Sequence, residues 1–300
     1  MSRAFSPFRS ASPLLFTLLI LSLSGRGAAQ TSNKPHDALP AWAYPVPARG
    51  SAEPPPREDF VARSLPGTDV TLFVSQTGER FDVGDWRPNQ HPAMPNIVAH
   101  GHKPDVIACA FCHYPNGLGR PENSSIAGLP VDYIIAQVED MKSGARTSAE
   151  PRMAPPAAMR KLAAAAHPSD VRIAAAYFAK LQAHPWVRVV ETDSVPRVKV
   201  GGGSIFVPVE GGGKEPIGDR IIETPEDMSR SALRDPGSGF VAYVPRGSVA
   251  RGKRLVMTAG GGKSKPCAEC HGETLRGVGV VPRIAGRSPS YLVRQLYDIQ

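Results

Sequence analysis

Three hundred residues leave room for two small domains or one large one. Glycine and proline, at 29 and 31 residues, are abundant enough for long irregular stretches but fall short of wholesale disorder. The net charge of +8 is not gathered into basic clusters interleaved with aromatics, which excludes a nucleic-acid-binding footprint.

In chain order, residues 1–29 read as a secretory signal. Arg3 and Arg9 give a positive start, and Leu14 to Leu23 is apolar but shorter than the roughly 20 residues of a membrane span. Gly27-Ala28-Ala29 supplies small residues for cleavage before Gln30. An uncleaved anchor is the alternative. Removing the signal takes away Arg3, Arg9 and Arg26 and no acid, leaving +5. No later stretch is long and apolar enough to cross a bilayer, so the mature chain is expected in the periplasm.

Residues 30–89 form a proline-rich extension, in which Glu53-Pro54-Pro55-Pro56 favours extended chain and Val70 to Ser75 has strand character. Residues 90–185 read as a helical unit. Ile134, Val138 and Met141 have helical spacing within Pro130 to Lys142. A later helix is expected with Ser169 as N-cap and Asp170 at its positive end, running to Leu181 and stopped by Pro185. Residues 186–245, with glycine clusters at 201–203 and 211–213, read as a linker with short strands or hairpins. A short helix from Ser248 through Leu255 leads into the last unit, 246–300.

The strongest feature is an internal repeat. Shifted by 158 residues, the sequence matches itself without a gap at 11 of 34 positions. The matches include Cys109/Cys267, Cys112/Cys270, His113/His271, Ala127/Ala285, Tyr133/Tyr291 and Gln137/Gln295. Four cysteines in an exported chain would first suggest two disulfides. Here each repeat opens with Cys-x-x-Cys-His, at 109–113 and 267–271. Two thiols three residues apart on one helical turn can reach the two vinyl groups of one porphyrin, and the adjacent histidine can reach its iron. A redox dithiol, a zinc site shared by all four cysteines, or disulfides within each pair are the competing readings.

With these motifs, the sequence resembles the two-domain, dihaem class I cytochromes c. The resemblance covers 90–185 and 246–300. Each half adds an Ile-Ala-Gly turn, at 126–128 and 284–286, and a Tyr-x-x-x-Gln helix; the first half adds Ala174-Ala175-Ala176-Tyr177-Phe178-Ala179. It implies a mainly α fold of two small helical domains joined by the Gly/Pro-rich linker. It also implies two covalent haems c, on Cys109 and Cys112 and on Cys267 and Cys270, with His113 and His271 as axial ligands to iron. In that family a proline carbonyl supports the histidine; Pro282 fits this place in the second half, and the aligned residue in the first is Ser124. A methionine usually closes the other haem face. Met153, in a proline-flanked irregular segment, is preferred over Met159, which reads as core packing. The second-half counterpart of Met153 would fall at position 311, so the sequence reads as a fragment, with Met257 or no sixth ligand as alternatives.

The expected function is electron transfer, and not enzymic, between redox partner proteins in the periplasm or at the membrane surface, either alone or as the cytochrome subunit of a dehydrogenase or respiratory chain. A six-coordinate haem would take no small-molecule substrate. Arg251, Lys253, Arg254, Lys263 and Lys265 flank the second motif and would steer an acidic partner. The alternative is a dihaem peroxidase with an open second haem.

Overall fold

The computed structural model describes residues 39–48, 60–262 and 264–299. The expected signal, the Glu53–Pro56 segment and Lys263 lie outside them. Ahead of the first repeat, β1 (Ala62–Ser64) and β2 (Thr71–Phe73) form an antiparallel pair, and α1 (Val74–Thr77) and α2 (Asn96–Ala99) follow.

In the first repeat, α3 (Cys109–His113) carries the motif, and the chain leaves it at Tyr114 with φ +62°. Gly117 then turns at φ +71°, where a Cβ would lie 3.0 Å from the Ala127 backbone, so the close approach needs glycine. α4 (Val131–Ser143) ends on Gly144 in the left-handed conformation. α5 (Ala154–Ala165) opens with Pro155 and Pro156, tolerated where first-turn amides lack intrahelical partners. α6 (Pro168–Ala179) starts before the expected Ser169 cap: the His167 ring accepts from Ser169 N at 3.3 Å, and Pro168 takes the first helical position. It also ends at Ala179, before Pro185 is reached. α4 packs on both α5 and α6. Val98, Leu118, Leu129, Ala175 and Phe178 are buried in the core so formed. Each large apolar side chain removed from water there contributes roughly 1.5–3 kcal/mol.

Residues 186–245 hold the expected short strands, and enough of them that the chain is mixed in class, only partly fitting the expectation of a mainly α chain. β3 (Val187–Glu191) pairs in parallel with β9 (Phe240–Val244), and β9 pairs antiparallel with β8 (Ile222–Pro225). β4 (Ser194–Pro196) pairs with β7 (Lys214–Pro216), and β5 (Val198–Gly201) with β6 (Ile205–Pro208). The β-branched and aromatic runs Val187–Val190 and Phe240–Val244 suit this pleated surface. α7 (Met228–Ala232) leads into a loop bolted to the first repeat. There Trp86 Nε1 donates to Leu233 O at 2.7 Å, and Asn116 Nδ2 to Pro236 O at 3.1 Å.

The second repeat comprises α8 (Ser248–Gly262), α9 (Cys267–His271) and α10 (Pro289–Asp298). α8 outruns the expected end at Leu255, and its backbone leaves helical geometry at Thr258–Gly261. The turn after each motif is built alike. Ile126 and Ala127 amides donate to Gly117 O at 2.8 and 3.0 Å; Ile284 and Ala285 amides donate to Leu275 O at 2.9 and 3.0 Å. Glu223 on β8 accepts from Ser288 Oγ at 2.6 Å and Ser290 N at 3.0 Å, which anchors the start of α10. Among the described residues, no helix is long and apolar enough to cross a membrane.

Asp235 is the polar centre of the brace between the middle segment and the stretch ahead of the first repeat. Its carboxylate accepts from Arg87 Nε at 3.0 Å, Arg230 Nε at 2.7 Å and Gly237 N at 2.8 Å, with its side chain fully buried. Burial alone would raise this carboxyl, but the donors from Arg87, Gly237 and Arg230 outweigh it and hold it below its ordinary value. Its contribution is therefore present above the unfolded carboxylate pKa of about 3.9 and is lost as pH falls through the lower folded value. Replacing Asp235 by Ala strands two guanidinium groups. Denaturant melts should show a loss of about 3–5 kcal/mol at neutral pH.

Candidate functional site

α3 presents Cys109, Cys112 and His113 to one wall of a cavity with about 1550 Å³ of empty space, its open mouth included. His113 Nδ1–H donates to Ser124 O at 2.8 Å. Because a carbonyl only accepts, the proton sits on Nδ1 and the lone pair is on Nε2, the tautomer that ligates a metal. Burial pushes the His113 pKa down, against the carbonyl bond that raises it, so the ring is neutral. His271 repeats the arrangement, with Nδ1 donating to Pro282 O at 2.7 Å. The Ser124 carbonyl thus does for His113 what the Pro282 carbonyl does for His271.

The thiols of the first motif are held towards the protonated form. Burial, then the neighbouring Cys112, pushes Cys109 up to about 12. Burial also raises Cys112, against Arg234 and Arg120. Reactive cysteines have depressed values; these are shifted the other way. Among the described residues no group of three or more His, Cys, Asp or Glu side chains is arranged to hold a metal, so the two cysteine pairs do not meet in a shared zinc site.

The cavity fits a porphyrin. Ile97, Leu129, Ile134 and Phe178 supply apolar wall, as a flat macrocycle requires. Polar lining comes from both repeats, with Tyr133, Gln137 and Arg146 from the first and Tyr291, Arg294 and Gln295 from the second, and the carboxylates Glu122, Asp170 and Asp298 are also on the wall. Arg146 joins the two repeats here, donating to Gln137 Oε1 at 2.6 Å, to Tyr291 Oη at 3.2 Å and to Gln295. The cationic and hydrogen-bonding groups among the lining residues suit a ring that carries carboxylates.

Met153 sits apart from this wall. Its side chain is fully buried against Ala43 and Tyr44, with Leu39, Trp42, Ala149, Val293 and Tyr297 around it, and it is not part of the cavity wall. It is the N-cap of α5. Met159, on the helix itself, lines the cavity, as does Met141 from α4. An offset of six residues separates Met153 from Met159, which puts them on different faces of a 3.6-residue helix.

The second motif is more open: Cys267 is half-buried and Cys270 exposed. Leu296 and Ile299 on and after α10 are 59% and 76% exposed, although their repeat counterparts Val138 and Met141 line the first cavity. Arg251, Lys253, Arg254 and Lys265 are exposed on this side of the chain. Arg234 had no sequence signal. It lies 4.2 Å over the Phe111 ring and donates to Phe111 O, bracing the turn between the two cysteines.

No family model matches the chain, and no curated protein does. Among solved structures it is similar to the thiosulfate dehydrogenase TsdBA from Marichromatium purpuratum in its as-isolated form, with 21% identity and a TM-score of 0.41. The likeness covers 67% of this chain and 31% of that one, so this chain spans about a third of its length. Against the expectation of a chain that is not an enzyme, that solved chain is a dehydrogenase.

Met153→Ala should therefore act on stability. The cavity it leaves against Ala43 and Tyr44 should cost about 2–5 kcal/mol in a chemical melt.

Proposed function

We propose that the chain is an exported dihaem c-type cytochrome of a periplasmic oxidoreductase system. It passes single electrons between its two sites and a redox partner protein. The observation that carries this reading is the doubled histidine support: in two gapless repeats, a histidine directly after Cys-x-x-Cys gives its Nδ1 proton to a backbone carbonyl eleven residues on. Cys109 and Cys112, and Cys267 and Cys270, would hold the two haems, with His113 and His271 as axial ligands. Bound there, haem c supplies one-electron iron chemistry whose potential is set by the axial ligands, burial and hydrogen bonding.

The chain's own residues do the rest. Ser124 and Pro282 orient the two imidazoles and keep Nε2 available. Met159 is the side chain we assign as sixth ligand of the first site, since it lines the cavity that His113 faces. Phe178, edge-on to the His113 ring at 6.0 Å, helps exclude water from it. The exposed cations of α8 offer an acidic partner a landing face beside the second motif, with attraction that salt weakens. The signal-like segment 1–29 supports export to a compartment where haem is attached.

A pyridine haemochrome assay on protein made with haem-attachment machinery should find two covalent haems per chain after acid extraction. Replacing Cys109 and Cys112 by Ala should leave one. Met159→Ala should abolish the methionine-to-iron charge-transfer band, and Met153→Ala should keep it. Colourless protein, or a band that survives Met159→Ala, would refute the corresponding assignment.

A further inference from the structure

The two histidine-supporting loops touch at equivalent positions. Ser125 and Arg283 are 158 residues apart, the repeat offset, and Arg283 Nη2 donates to Ser125 Oγ at 2.9 Å. The same guanidinium donates from Nε to Ala127 O at 3.3 Å and from Nη1 to Ala285 O at 2.9 Å, and these two alanines are repeat counterparts. Arg283 directly follows Pro282, whose carbonyl holds His271. Ser125 directly follows Ser124, whose carbonyl holds His113. Arg287 backs the arrangement, donating to Arg283 O at 2.9 Å and Ser124 Oγ at 3.3 Å, while its Nη2 is buried without a partner.

Both arginines are only 8% exposed. Among the described residues Arg283 has no carboxylate partner, and every acceptor it uses is a neutral oxygen. Burial, then Arg287 and Arg276, pushes Arg283 down to about 10, which leaves it protonated at neutral pH. A buried charge usually requires a paired one; here an unpaired cation sits between two sites that each gain an electron in turnover.

We infer that Arg283 is a shared tuning cation, seated between the two histidine supports so that it raises the reduction potential of both haems together. The inference rests on the two-haem reading above. Reduction adds one negative charge at a site, and a fixed positive charge in a poorly solvated interior favours that state with little screening by salt. Net charge and burial are among the levers that set haem potentials. Because Arg283 stands one residue from the carbonyl support of one histidine and one hydrogen bond from the loop supporting the other, its field acts on both sites.

The test is a spectroscopic redox titration of the holoprotein, with haem count measured on the same samples. Arg283→Gln should shift both midpoint potentials downwards, and Arg283→Lys, which keeps the charge, should stay nearer the parent values. If Arg283→Gln fails to fold, Ser125→Asp places a compensating carboxylate beside Nη2 and should lower both potentials in the same way. Two haems per chain with only one potential shifted, neither shifted, or Lys and Gln shifting equally would overturn the inference alone. Fewer than two covalent haems in the parent chain would overturn the underlying reading, and the inference with it.

Discussion

The structure turns on one hydrogen bond made twice, from the Nδ1–H of a histidine to a backbone carbonyl eleven residues on. The bond selects the imidazole tautomer, fixes the ring plane, and leaves Nε2 with its lone pair available. Everything around it serves to hold that carbonyl in place. In the first repeat Gly117 accepts from both Ile126 and Ala127, closing the loop that contains Ser124; in the second Leu275 takes the same two bonds around Pro282. That Leu275 does so at φ +58° shows the turn is demanded by the loop, since a leucine rarely adopts this conformation unaided.

A second constraint is how much cationic charge is buried where the repeats meet. Arg146, Arg283, Arg287 and Arg294 all lie in this region, and Arg146 and Arg294 reach the cavity wall. Arg294 is spent on structure, donating to Ala43 O at 2.9 Å and so pinning the 39–48 segment against the second repeat. Tyr44 completes that clasp by donating to Asp298 Oδ1 at 2.9 Å. The middle segment does similar work from the other side, with Arg234 on Phe111 and Glu223 on the start of α10. Residues 186–245 therefore brace both repeats, and a haem in the first cavity would be enclosed by parts of the chain far apart in sequence.

The paired histidine supports were legible in the sequence because they are local. Cys-x-x-Cys-His, the 158-residue offset and the 124/282 alignment are all readable from residue types and spacing. α4 also appeared close to where Ile134, Val138 and Met141 placed it. What was not legible depends on contacts between distant segments. Met153 looked like a loop sulfur free to lean over a haem, but residues 39–48 return to bury it, and nothing near 153 announces them. β3 and β9 pair in parallel across more than 40 intervening residues, so a stretch punctuated by glycines read as a linker. Arg283 aligns with a serine, and no local pattern marks it as the cation shared by two loops. The α6 boundary shifted for a smaller reason: Pro168 is well suited to a first helical turn, so the cap moved back to His167.

The central claim is that each Cys-x-x-Cys pair is consumed in thioether bonds beneath its histidine. Intact-mass and peptide mass spectrometry of the mature exported chain tests it most directly. The account predicts the 109–113 and 267–271 peptides each carrying one haem, with none of the four thiols open to alkylation. A chain of unmodified mass, with all four cysteines alkylated, would contradict it.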